Sequence, residues 1–121
     1  MKKIMVVDDE ESLRELARAI FESEGFEVID ASSGLECLQK LEKIKPDVIL
    51  MDMMMPGMSG REATEKIRQN PDTKNIKVIF LTVARFSETG KGTLDKLNVS
   101  DYITKPFDNE ELVKRVKKIV G

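Results

Sequence analysis

The chain has 121 residues, 40% of them hydrophobic and 35% charged, with a formal net charge of −2. That length fits one domain with a core of useful size, and so small a charge gives no support for a nucleic-acid or membrane surface. No apolar run is long enough to span a bilayer, and one cysteine, Cys37, with no histidine excludes an internal disulfide and argues against a transition-metal centre.

Lys2-Lys3 leads into a short apolar run that stops at Asp8, too short for the apolar core of a secretory signal. The expectation is a cytoplasmic protein. Lys3 to Val7 reads as a buried strand, rich in β-branched residues and without a helical period. Leu13, Leu16, Ala17, Ile20 and Phe21 then recur at the spacing of one helix face, and Gly25 is a natural stop. Phe26 to Ile29 forms a second short strand. Ser32 or Ser33 can cap the next helix, whose apolar stripe is Leu35, Leu38 and Leu41 with Ile44 beyond; Pro46 bars its continuation. Cys37 reads as a small buried side chain on that helix.

The stretch Val48-Ile49-Leu50-Met51-Asp52 is apolar through four positions and ends in a carboxylate. Strands apolar on both faces belong to the centre of a parallel sheet, and ligands bind open α/β sheets at the carboxyl ends of the strands. A bare carboxylate in that place costs free energy unless a cation or a donor compensates it. After the break at Pro56-Gly57, Ser59 with Glu62 reads as a capping box opening a helix through Ile67, which ends before Asn70-Pro71. The methionines Met51, Met53, Met54, Met55 and Met58 read as gap-filling packing rather than a soft-metal site, given the hard carboxylates beside them. Ile76 to Leu81 is another buried strand, ending in Thr82. Val83 to Leu97 reads as a short or frayed helix weakened by Gly90 and Gly92. Ser100 to Thr104 is the last strand and Lys105-Pro106-Phe107 a turn. Asp108 with Glu111 repeats the capping pattern before a helix carrying Leu112, Val113, Val116, Ile119 and Val120.

Strand and helix alternate five times, which predicts a parallel sheet with helices on both faces. Asp8, Asp9, Asp52, Thr82 and Lys105 then all fall at or just beyond strand ends that share one edge. Three acids at close range raise one another's pKa. A hard cation such as Mg²⁺ relieves that conflict, and an aspartate so placed can act as a nucleophile and become an aspartyl phosphate. Taken singly, the residues have ordinary explanations. Asp8 and Asp9 favour a helix N-terminus, Thr82 suits a strand, Lys105 suits a solvated loop, and Tyr102 suits a core edge. The ordered set has no such explanation.

That set, Asp8-Asp9, Asp52, Thr82 and Lys105-Pro106-Phe107, resembles the receiver domain of two-component response regulators, as does the loop Met55-Pro56-Gly57-Met58-Ser59-Gly60, similar to the family's M-P-x-M-x-G. The resemblance covers essentially the whole chain and implies a single receiver domain over residues 1–121. It implies a flavodoxin-like, three-layer α/β/α fold with a five-stranded parallel sheet of order 2-1-3-4-5 and five helices; the order comes with the family, not from strand spacing. By resemblance, Asp52 accepts a phosphoryl group from a phosphohistidine of a sensor histidine kinase or histidine phosphotransfer protein. Asp9, Asp52 and the backbone carbonyl of Met54 bind Mg²⁺, for which Mn²⁺ can substitute, and Asp8 acts through water. Lys105 pairs with phosphoryl oxygens, while Thr82 and Tyr102 move inward and change the face made by the last two helices and the fifth strand. A downstream protein reads that face, or the phosphoryl group passes onward in a relay. The expected state is a monomer that can pair through this face on phosphorylation, without direct nucleic-acid or membrane binding.

Three departures from the family pattern carry expectations. Val83 stands where receivers usually place a small residue and narrows the approach to Asp52. Met54 and Ala84 lack the amide or acid that orients hydrolytic water in some receivers, which implies a long-lived phosphoryl-aspartate. Asn98 replaces a common glycine at a place where asparagine tolerates positive φ. The rival readings are an unphosphorylated interaction module of the same fold and a Mg²⁺-dependent phosphohydrolase using an aspartyl-phosphate intermediate. A flavin site is weaker still, because the carboxylates repel a cofactor phosphate.

Overall fold

The computed structural model describes residues 1–83 and 96–121. Its strands are β1 (Lys3–Val7), β2 (Glu27–Ala31), β3 (Val48–Asp52), β4 (Lys77–Thr82) and β5 (Asp101–Thr104), all parallel in the order β2-β1-β3-β4-β5. The described helices are α1 (Glu11–Ser23), α2 (Gly34–Leu41), α3 (Gly60–Gln69) and α4 (Asn109–Val120). The helix expected between Val83 and Leu97 falls almost wholly outside the described residues, and so do Gly90, Gly92 and Ala84.

Alternation along each strand sends successive side chains to opposite faces, and this divides the core in two. Ile4, Val6, Val48, Leu50, Ile79 and Leu81 pack with Ala17 and Phe21 of α1 and Leu112 and Val116 of α4. Met5, Val7, Ile49, Met51, Val78 and Phe80 meet Cys37 and Leu41 of α2 and Ala63 and Ile67 of α3 on the other face. The central strands are buried on both sides, hence their unbroken apolar runs.

The caps follow the local sequence. Ser33, Ser59 and Asp108 accept hydrogen bonds from the backbone N–H groups of Glu36, Glu62 and Glu111 at 3.1, 3.1 and 3.0 Å, each satisfying one donor at a helix start. Asn98 has φ of 53°, as its replacement of glycine implied. Other details differ from expectation. α2 stops at Leu41 rather than running towards Ile44, with the Lys43 and Ile44 N–H groups both bonding back to the Lys40 carbonyl in the final turn. β2 starts one residue late: the Phe26 N–H bonds to the Phe21 carbonyl at the end of α1, and the two rings meet edge-on at 5.3 Å. Leu16 and Leu35, placed by periodicity on buried stripes, are 42% and 58% exposed. Each lies on the flank of its helix's buried face, which is centred on Ala17 and Phe21 in α1 and on Gly34, Cys37 and Leu41 in α2.

Candidate functional site

Parallel pairing levels the strand ends. Thr82 stands opposite Thr104 and Asp52 opposite Leu81, while the N–H groups of Asp8, Met53 and Lys105 continue the ladder onto the carbonyls of Ala31, Leu81 and Thr82. Residues far apart in sequence therefore emerge side by side. Oxygens of Asp8, Asp9 and Asp52 lie within 4.8 Å of one another, with Asp8 and Asp52 buried and Asp9 exposed. From beyond β5 the Lys105 ammonium reaches back to Asp8 at 2.7 Å and to Asp52 at 3.7 Å. The Lys105–Pro106 peptide is cis.

Each oxygen of Asp8 has a partner, Oδ1 accepting from the Glu10 N–H at 2.9 Å and Oδ2 from Lys105. Asp52 Oδ1 accepts from the Met54 N–H at 3.1 Å. Burial is the main force on Asp52. It pushes the pKa up from 3.8 to about 6, with the charges of Asp8 and Asp9 adding to it, the Met54 N–H and Lys105 opposing it. Burial also disfavours the Lys105 ammonium, but the bond to Asp8 and the charges of Asp8 and Asp52 outweigh it, so its pKa is raised. Lys105 stays charged and pairs with two of the three acids, Asp8 and Asp52.

The excess of acids over cations here among the described residues, with carboxylate oxygens as the ligands and one acid open to solvent, fits a hard divalent ion that retains water. The donor set contains no thiolate or imidazole, and the side chain of Met54 is 70% exposed, pointing away from any metal role for its sulfur.

The remaining sequence candidates fall around this pocket. Thr82 is buried at the end of β4. Tyr102, opposite Phe80 and half-buried, packs against the α2–α3 side of the core. Val83 is 65% exposed, and with Leu13, Leu16, Lys105, Pro106 and Phe107 it lines a largely apolar cavity of about 510 Å³ beside the acids. Sequence reasoning missed this cavity, because it assigned Leu16 to the core. It also missed Gly60, the first residue of α3, whose Cα presses against the Asp52 carbonyl so closely that a Cβ would sit 2.1 Å from that oxygen. The sequence signal for Gly60 was the glycine that closes the loop after the Asp52 strand.

Comparison with known proteins agrees with this geometry. The family model for the response regulator receiver domain matches residues 4–117. The phosphate regulon transcriptional regulatory protein PhoB of Rhizobium meliloti is 40% identical over 99% of this chain and 52% of its own length; the chain spans about half the length of the curated relatives it matches. Among solved structures, the chemotaxis protein CheY4 of Vibrio cholerae superposes with a TM-score of 0.92 at 31% identity, covering 98% of each chain. The receiver domain of the sensor histidine kinase PA1611 from Pseudomonas aeruginosa, 26% identical with a TM-score of 0.87 over 99% of this chain and 98% of its own, holds a magnesium ion coordinated in its active-site cleft. With the fold, the strand-end acids and the family model in agreement over nearly the whole length, the chain belongs to the response regulator receiver domain family.

Proposed function

We propose that this receiver is a phosphoacceptor switch in which Asp52 takes a phosphoryl group from a phosphohistidine of a sensor histidine kinase or histidine phosphotransfer protein. The observation that carries this reading is the convergence of three carboxylates and one ammonium at a single sheet edge. An Asp52 carboxylate oxygen attacks phosphorus in line, its bond to phosphorus forming as the P–N bond to the donor imidazole breaks. Lys105 moves from Asp8 and Asp52 towards the phosphoryl oxygens, and the Thr82 hydroxyl donates to one of them. Asp9, Asp52 and the Met54 carbonyl would hold Mg²⁺, or Mn²⁺ in its place, with Asp8 acting through water; the ion would supply charge that neutralises the transferring group.

The dianionic product then recruits donors at the end of β4 and biases the packing of Tyr102 on β5. The face of β5 and α4 changes for a protein partner, for pairing of two copies, or for onward relay. The relatives are transcriptional regulatory proteins about twice as long, and this favours a second reading of the output, control of an attached segment. The apolar cavity next to Lys105 is suited to the donor's own apolar face.

The test is transfer of label from a phosphorylated histidine donor in Mg²⁺, with beryllofluoride as a mimic read by amide resonances on β4 and β5. Hydroxylamine-labile label at Asp52 and a beryllofluoride shift are expected. Absence of both favours the unphosphorylated interaction module, and turnover of a generic phosphoester favours the hydrolase. In the same assay, Val83→Ala widens the approach and speeds labelling by acetyl phosphate about threefold; an unchanged rate removes that role for Val83. With Met54 and Ala84 in place, the phosphoryl group persists for many minutes at room temperature, and decay within seconds on isolated labelled protein counts against that assignment.

A further inference from the structure

The structure braces the Asp8–Asp9 corner with a group that the acid pocket itself does not include. Arg14, in the first turns of α1, has a largely buried guanidinium that forks in two directions. Its NH1 donates to the backbone carbonyl of Asp8 at 2.8 Å, and its Nε donates to Asp30 Oδ2 at 3.2 Å. Asp30, near the end of β2, is itself held from both layers. Arg18, one turn further along α1, reaches its other oxygen at 3.2 Å, and Lys40 of α2 donates to its backbone carbonyl at 2.5 Å. The Asp8 carbonyl and the Asp9 N–H belong to one rigid peptide plane. Pinning the carbonyl therefore sets the direction in which the chain leaves Asp8 and the place of the Asp9 carboxylate.

We infer that Arg14 is a positioning residue for the divalent-ion site, acting through the Asp8–Asp9 peptide, with Asp30 as its anchor. This rests on the reading of the acids as a metal site. Asp8 is fixed on every side, through its N–H on Ala31, its side chain on Glu10 and Lys105, and its carbonyl on Arg14. Asp9 is the exposed acid of the three, so its separation from Asp8 and Asp52 depends on the peptide that Arg14 grips. A planar fork can hold both a carboxylate and a carbonyl at once. The sign of the effect separates positioning from charge. Removing a nearby cation would by itself tighten Mg²⁺ binding, whereas loosening the corner weakens it.

The experiment titrates Mg²⁺ against isotope-labelled protein and follows amide shifts of the loops after β1 and β3. Outer contacts that orient metal ligands are typically worth roughly tenfold or more in affinity, so Arg14→Gln is expected to weaken Mg²⁺ binding about five- to tenfold. In metal-free protein it also speeds hydrogen exchange at the Asp9 and Glu10 amides. Arg18→Gln, which loses the same Asp30 but no contact to Asp8, leaves the affinity within twofold. Arg14→Lys, which keeps the charge but loses the planar fork, weakens binding in the same direction and decides the matter if Arg14→Gln does not fold. Unchanged or tighter binding in Arg14→Gln, or an equal loss in Arg18→Gln, overturns the inference while the metal site stands. A parent protein that binds no Mg²⁺ overturns the site reading and this inference with it.

Discussion

Asp52→Asn is expected to abolish phosphoryl labelling and, in the absence of divalent ions, to make the protein more stable at neutral pH. Both effects have one origin. Burial and the adjacent acids hold the Asp52 carboxyl near a pKa of about 6 against 3.8 for the free group. Below that free value the group is protonated in folded and unfolded chains alike, and the favourable linkage is fully present. As pH rises through about 6 the folded protein must ionise a buried carboxyl, and stability on the order of 1–3 kcal/mol is lost. Asparagine carries no charge at any pH. Its amide oxygen can still accept from the Met54 N–H, and Lys105 keeps its closer partner, Asp8. Thermal melts in EDTA should place Asp52→Asn roughly 3–10 °C above the parent at pH 7.5, with the gap shrinking as pH falls towards 4. Equal melting temperatures at pH 7.5 would show that the pocket does not strain its charge.

Gly60→Ala is expected to be the most damaging conservative change at the site. The added Cβ would lie 2.1 Å from the Asp52 carbonyl oxygen, 2.8 Å from its carbon and 2.9 Å from Met51 Cγ. Two of those atoms are backbone at the end of the central strand and cannot step aside. Either α3 lifts from the sheet, losing the Gly60 N–H bond to the Met53 carbonyl, or the end of β3 shifts and carries Asp52 with it. Overpacking typically costs about 1–3 kcal/mol and occasionally more; an overlap with backbone belongs at the top of that range, a fall in melting temperature of roughly 10 °C or outright failure to fold. Gly34→Ala is the control. The three atoms nearest its Cβ would all belong to the Met58 side chain, the sulfur at 3.0 Å, and a flexible thioether can move. If the two variants melt together, the close approach at Gly60 is not what holds Asp52 in place.

Local chemistry made most of the fold readable. The cap residues Ser33, Ser59 and Asp108, the run Val48 to Asp52 and the alternation of strand with helix are nearest-neighbour statements, and the structure honours them. Leu16 and Leu35 were misread because helical period identifies a face without fixing how wide an arc of it the sheet covers. Leu13 and Gly34, nearer the starts of the same helices, are more buried than Leu16 and Leu35, so the angle around the helix decides and not the position along it.

The candidate site divides along the same line. The residue types and their order at the strand ends, Asp8, Asp9, Asp52, Thr82 and Lys105, were legible from sequence alone, because parallel alternation requires those ends to share an edge. Which acid would be buried and which exposed, that Lys105 sits nearer Asp8 than Asp52, and that Arg14 grips the Asp8 carbonyl emerged only in three dimensions. These depend on side chains brought together across as many as 97 residues. Periodicity and capping carry no information over that span; distances there are set by strand register and by the packing of α1 and α3 on the sheet.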